Sequence, residues 1–176
     1  ELEGRNWWFV GMRRTCAELL VPPGSGAVVP GPVLDVGCGT GIWLAELDGL
    51  PGAPVGVGLE PSPLGLSFCR EERGLPRLVQ GAGERLPVGD GRVGTVTAID
   101  VLEHIEDDAA AVAEWARVLR PGGRLLVLTS AYRWLWSGHD VSNHHHRRYV
   151  LPEVVDLVER SGLRVDRATY ANSLLL

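Results

Sequence analysis

Three stretches of this chain combine residue types that can do chemistry. The first is Gly37-Cys38-Gly39-Thr40-Gly41, preceded by Val33-Leu34-Asp35-Val36 and followed by Ile42-Trp43. Glycines at a strand-to-helix turn let the backbone approach a ligand closely and supply N–H donors at a helix start. A plain tight turn needs only one or two of them. A dinucleotide site prefers GxGxxG, whose third glycine permits close helix–strand packing. Here the spacing is GxGxG, and the bulky Trp43 is a poor neighbour for a pyrophosphate. An acid at Asp35 would also repel a diphosphate, but it can fix loop amides or hold an ammonium group.

The second stretch is Asp100-Val101-Leu102-Glu103-His104. The third is His139-Asp140 with His144-His145-His146-Arg147-Arg148-Tyr149. Histidine changes charge nearest neutral pH and is the commonest general base. His139-Asp140 can form an oriented base, with the carboxylate fixing the imidazole tautomer. Three consecutive histidines cannot all point one way, so one or two of them, His144 among the candidates, enter a site. Arg147 and Arg148 suit a substrate carboxylate or phosphate, or equally a structural pairing with acids at the sheet end. All 17 basic residues are Arg, which excludes a lysine Schiff base or a P-loop lysine.

The elements that carry these residues follow from periodicity. Asn6 to Val21 has helical spacing, and Pro22-Pro23-Gly24-Ser25-Gly26 ends it. Strands are expected at Val33–Val36, Pro54–Glu60, Arg77–Gln80, Gly94–Asp100 and Arg124–Ser130, with a sixth at Leu163–Tyr170. Helices are expected at Ile42–Leu50, at Pro63–Arg73, from Asp107 to Arg120 before Pro121-Gly122-Gly123, and at Pro152–Arg160. Strands alternating with helices define an α/β domain with a doubly wound, parallel sheet. The polar and aromatic stretch Tyr132–Tyr149 is a loop at the same strand ends as the glycine turn.

Composition narrows the function classes. With 176 residues, 45% hydrophobic and 22% charged, the chain suits one globular domain. A net charge of −5 disfavours a broad nucleic-acid face. No apolar run reaches the ~20 residues of a membrane span. Glu1-Leu2-Glu3 lacks signal-peptide order, and a cytoplasmic location is expected. The three cysteines show no CxxC spacing and read as free thiols.

The motifs then acquire a resemblance. Val33-Leu34-Asp35-Val36-Gly37-Cys38-Gly39-Thr40-Gly41 resembles the first motif of class I S-adenosylmethionine-dependent methyltransferases. Glu60 ends the second strand where that family has an acid for the ribose hydroxyls. Gly81-Ala82-Gly83-Glu84-Arg85-Leu86-Pro87 is similar to the segment that contacts adenine. Ala82 stands where the family often has Asp, which leaves that contact to the Ala82 and Gly83 backbone or to Glu84. Asp100-Val101-Leu102-Glu103-His104-Ile105 resembles the motif after the fourth strand, and Arg117 to Gly123 the turn before the fifth. The resemblance spans residues 30 to 130 and rests on five motifs in order.

The resemblance implies a Rossmann-like, three-layer, mostly parallel sheet. Residues 1–30 form a lid helix and linker, and 31–176 form the cofactor domain. It implies S-adenosyl-L-methionine as cofactor and S-adenosyl-L-homocysteine as product. Asp35, Gly37, Cys38, Gly39, Gly41, Glu60, Ala82, Gly83 and Asp100 would then bind the cofactor, with Arg14 neutralising its carboxylate. A small-molecule acceptor, more readily at oxygen than at nitrogen or carbon, would lose its proton to His104, or to a base built from His139, Asp140 or His144. No metal is expected, although Asp100, Glu103, His104 and a later His resemble the ligand set of small-RNA 2′-O-methyltransferases. Trp7-Trp8-Phe9, Trp134 and Trp136 are candidates to frame the pocket, and Trp43 either packs or lines the cleft. The partners expected are a small molecule and, at most, a second copy of the chain. The family's seventh, antiparallel strand is not found, and Leu174-Leu175-Leu176 reads as the start of a further element. Two other readings stay open: a nicotinamide-dependent oxidoreductase on a related fold, and a non-catalytic cofactor-binding domain.

Overall fold

Residue alternation along β1 (Val33–Val36) organises the molecule. Leu34 and Val36 join one buried cluster and Val33 the other, so both faces of this strand are covered. Such burial is what a parallel sheet between two helical layers requires. In this computed structural model, which describes residues 2–52 and 54–171, the sheet order is β3-β2-β1-β4-β5. The other strands are β2 (Gly56–Glu60), β3 (Leu78–Gln80), β4 (Val93–Ile99) and β5 (Leu119–Leu128). All pairings are parallel. The order reverses at β1, so loops leaving β1 and β4 diverge there and open a cleft at the strands' C-terminal ends.

One helical layer holds α1 (Leu2–Arg5), α2 (Trp7–Leu20) and α3 (Ile42–Glu46). Cys16 and Leu20 of α2 pack with Trp43 and Leu44 of α3 onto Val33 and Leu126. The α3 helix gives way to a 3₁₀ turn over Leu47–Gly49, so the helix expected to Leu50 is shorter and tighter. The helix α4 (Pro63–Glu71) is capped by Ser62, whose Oγ accepts the Gly65 N–H at 3.2 Å.

The other layer is built on α5 (Asp108–Val118). Ala111, Val112, Trp115 and Val118 make its fully buried stripe, and the Asp107 carboxylate caps it by accepting the Ala110 N–H at 2.9 Å. Arg117 donates to Glu114, Asp90 and the Leu86 and Val88 carbonyls, which ties the 81–92 segment to α5. The helix stops at Val118 rather than Arg120. Leu119 is drawn into the sheet opposite Val93, and the register shifts at that point. The short α6 (Gly138–Ser142) and the amphipathic α7 (Leu151–Arg160) follow. Val154, Leu157 and Val158 of α7 pack against the α5 side.

One expected strand is not formed. Residues 163–170 are irregular, with a bend at Asp166, and pair with no strand, so β5 is an edge of the sheet among the described residues. A strand exists only as a member of a ladder, and this segment has no ladder to join. Side chains hold it instead. Tyr170 stacks on Tyr132 at 4.7 Å, and its hydroxyl accepts the Leu151 N–H at 2.8 Å. Leu174-Leu175-Leu176 lies outside the described residues.

The buried Trp115 indole donates to the Gly83 carbonyl at 3.1 Å, pinning a cleft wall to α5. Trp115→Phe leaves that carbonyl unpaired and a void beside it. A loss of about 2 kcal/mol is expected, read as a lower midpoint in urea unfolding.

Candidate active site

The cleft begins where β1 ends. Gly37, Gly39 and Gly41 all have positive φ, at 64°, 54° and 76°. At Gly37 a Cβ would sit 2.6 Å from Val101, so no side chain fits between this loop and the one leaving β4. At Gly39 a Cβ would meet nothing closer than the Gly37 carbonyl at 4.0 Å, which leaves that face of the backbone open. The loop is held from below. The Cys69 thiol donates to the Gly39 carbonyl at 3.2 Å and Arg73 Nε to the Thr40 carbonyl at 2.5 Å. Cys38 and Cys69 also bond each other, and burial pushes both thiols up, so they act as neutral packing groups. Cys38 therefore faces the cleft through its backbone alone.

Acidic groups line the strand ends. Glu60 accepts the Gly39 N–H at 3.0 Å and the Ser62 N–H at 3.0 Å. Fixing loop amides was expected of Asp35; Glu60 does it, because Asp35 points into the sheet. There the register sets Asp35 beside Thr97, whose hydroxyl donates to it at 2.7 Å. Burial pushes Asp35 up to about 7; the Thr97 bond opposes this and the Glu60 charge adds to it. Asp100 leaves β4 with φ 53° and is open to solvent; protein atoms crowding around it, then the Glu103 charge, raise its pKa. Asp35 is closed off by Thr97 and the sheet, whereas Asp100 is placed to meet a cation. S-adenosyl-L-methionine carries two, the sulfonium and the ammonium, so the donor set fits it. Ala82 is exposed at the rim and Gly83 buried behind it.

The loop after β4 forms a 3₁₀ turn over Leu102–His104. Glu103 is fully buried. Its carboxylate accepts from Thr129 Oγ at 2.8 Å, Ser130 N at 3.1 Å and Ser130 Oγ at 2.8 Å, so it ties the ends of β4 and β5. The Thr129-Ser130 pair is the sequence signal that points to this role. His104 reaches solvent, with the Asn143 backbone near its ring. Partial burial holds its pKa below the ordinary imidazole value; Glu103 and the Asn143 backbone pull upward, and His145 and His146 push down.

The expected His139–Asp140 pair is not made. Asp140 is fully buried and takes Arg148 Nε at 2.6 Å, Arg148 Nη2 at 3.0 Å and His145 Nδ1 at 2.9 Å. Arg148 holds its carboxyl far below the usual carboxylate range. His139 instead contacts Asn143 Nδ2 at 2.9 Å on the exposed side of α6, and His144 is exposed with φ 57°. Consecutive residues on a helix differ in direction by ~100°, which sends Asp140 inward and His139 outward. The histidine brought to His104 is His145, with ring centroids 4.6 Å apart and planes at 90°. Its neighbours in the HHH run are indistinguishable by sequence.

Arg147 and Arg148 have structural partners. Arg147 donates to Asp108 and the Glu106 carbonyl, and Arg148 adds the Ala131 carbonyl to its Asp140 pairing. Arg14 is also displaced from its expected role. It lies 80% exposed in a pair with Glu18, beside an apolar hollow of about 500 Å³ near Val28 and Pro51, at the N-terminal ends of the strands. The neighbouring Arg13 is buried and bonds Glu46 of α3 at 2.9 Å. Trp43 packs in the core at 4% exposure. Trp7, Trp8, Trp134 and Trp136 are exposed. Among the described residues, no group of three or more His, Cys, Asp or Glu is arranged to hold a metal ion, and no helix is long and apolar enough to cross a membrane.

A glycine turn at the switch point, Glu60 closing β2 and the accessible Asp100 beyond β4 meet in one cleft at the strands' C-terminal ends, on the fold of a class I methyltransferase. The family model for the methyltransferase domain matches residues 34–127, and the chain belongs to that S-adenosylmethionine-dependent family. Its relatives include the ubiquinone biosynthesis O-methyltransferase of Aeromonas salmonicida, 30% identical over 158 residues, covering 80% of this chain and 66% of that protein. The malonyl-[acyl-carrier protein] O-methyltransferase of Hahella chejuensis is 30% identical over 165 residues, covering 89% and 58%. The chain thus spans just under two thirds of these relatives' length. The fold matches Haemonchus contortus phosphoethanolamine N-methyltransferase 2, solved with S-adenosyl-L-methionine. The TM-score is 0.71 at 15% identity, over 86% of this chain and 36% of that one.

Two tests follow from the acid-lined cleft. Glu60→Ala removes the acceptor for Gly39 and an acid facing the cofactor. Calorimetry with S-adenosyl-L-homocysteine should show affinity weakened roughly 10- to 100-fold. Asp35 has a folded pKa near 7 against ~4 in the unfolded chain. Its cost is absent below about pH 4, grows between pH 4 and 7, and is complete above. Asp35→Asn should raise the unfolding midpoint at pH 8, flatten that part of the stability profile, and weaken cofactor binding.

Proposed function

We propose that this chain transfers a methyl group from S-adenosyl-L-methionine to an oxygen of a small hydroxylated acceptor, with His104 as general base. The observation that carries the reading is the setting of His104. It stands on the turn packed against the glycine loop through Val101. His145 stands against its ring, with centroids 4.6 Å apart and planes at 90°. The ring still reaches solvent, and a neutral imidazole offers one nitrogen lone pair there. A pKa below the ordinary value keeps that lone pair available at neutral pH.

The cofactor supplies an electrophilic methyl on a sulfonium, so the chemistry needs alignment and removal of the acceptor's proton. The glycine loop, Glu60 and Asp100 hold the donor side. The lone-pair nitrogen of His104 takes the hydroxyl proton. Both arginines of the loop are already neutralised by carboxylates, which supports an acceptor without an anionic handle. The two relatives named as O-methyltransferases support oxygen as the target.

A panel of phenols and catechols incubated with S-adenosyl-L-methionine should yield S-adenosyl-L-homocysteine, measured by mass spectrometry. His104→Ala should lower that rate roughly 100- to 10,000-fold with cofactor affinity unchanged. In the wild type the rate should fall as pH drops through the low pKa of His104, because the base is then protonated. Turnover only with amines would move the target to nitrogen. Binding without turnover across the panel would make the domain a cofactor-binding module.

A further inference from the structure

The loop from Ser137 to Tyr149 is built around one buried carboxylate. Asp140 accepts from Arg148 twice, from His145 Nδ1, and from Ser137 N at 2.9 Å and Ser137 Oγ at 3.3 Å. The Asp140 bond puts the His145 proton on Nδ1. Its side chain is only 8% exposed, so His145 meets little beyond its protein neighbours. The face it presents meets His104, ring against ring at 90°. The same loop grips the His104 turn at one more point, where the His146 N–H donates to the Glu103 carbonyl at 2.7 Å.

We propose that His145 is a positioning residue, tied through Nδ1 to Asp140 and standing perpendicular to His104, which it fixes in one orientation over the cleft. This rests on the reading of His104 as the base. The alternative, His145 itself as the base, conflicts with its near-complete burial. Histidine at this position does what a carboxylate does in an Asp–His pair, but through packing: it limits rotation of the His104 ring. The titratable groups facing His104 are Glu103 from its own turn and His145 and His146 from the loop. Glu103 favours the protonated ring, and the two histidines disfavour it.

The test is histidine NMR on the intact chain labelled with ¹⁵N and ¹³C at its imidazoles, titrated from pH 5 to 8. In the wild type His104 should titrate below its ordinary value. His145→Asn keeps a donor for Asp140 and removes the ring. The His104 midpoint should then move up. An unchanged midpoint in folded His145→Asn would overturn the proposal. If that variant does not fold, the wild type is read instead: NOE cross-peaks between the His104 and His145 rings that define one ring orientation support positioning, and averaged cross-peaks defeat it. The base assignment fails separately, through full activity in His104→Ala, and that result leaves the NMR comparison as it stands.

Discussion

Five carboxyl groups, Asp35, Glu60, Asp100, Glu103 and Asp140, gather towards the C-terminal ends of the strands and the loops beyond, and the protein supplies donors to four of them. Burying an unpaired carboxylate costs several kcal/mol, so the donors that meet each one define the local structure. Thr97 meets Asp35 because strands β1 and β4 are in that register. The amides of Gly39 and Ser62 meet Glu60 and so fix the glycine loop. Thr129 and Ser130 meet Glu103 and join the ends of β4 and β5. Arg148 and His145 meet Asp140 and fold the long loop onto the turn of His104. The site is the by-product of these four solutions.

They also divide the cleft into two electrostatic halves. Asp35 and Asp100 are incompletely compensated and sit high in pKa, a state that a bound cation relieves. Asp140 is fully compensated and sits low. The uncompensated half lies on the side of the glycine turn. The compensated half carries the imidazoles, where a fixed framework matters more than net charge. Preorganisation of this kind is stored in the folded chain at the expense of stability.

Local signals in the chain went far. The short β-branched run Val33–Val36, the glycine turn and the helical span opening at Asp107 placed the central elements close to where they stand. The five-motif order matched the family that the comparisons establish. Failures came where one residue's direction or one strand's partner decided the outcome. Residues 163–170 carry strand-like composition but have no ladder beside them. Arg14 and Arg13 are adjacent and chemically identical, and helix phase turned Arg13 inward and Arg14 to solvent. The helix before β5 ended early because Leu119 gains a sheet partner in Val93.

The sequence by itself determined the α/β architecture, the place of the glycine loop between β1 and α3 and the chemistry available, histidine and carboxylate without lysine. Those follow from local periodicity and residue type, which a linear chain displays. Only the tertiary structure decided which carboxylate serves which group. It gave Glu60 rather than Asp35 to the loop amides, and His145 rather than His139 to Asp140. The physical reason is that hydrogen bonds are satisfied between residues distant in sequence or opposite on a turn. Their pairing is set by strand register and helix phase, to within a fraction of a residue, and neither is written in the residue types themselves.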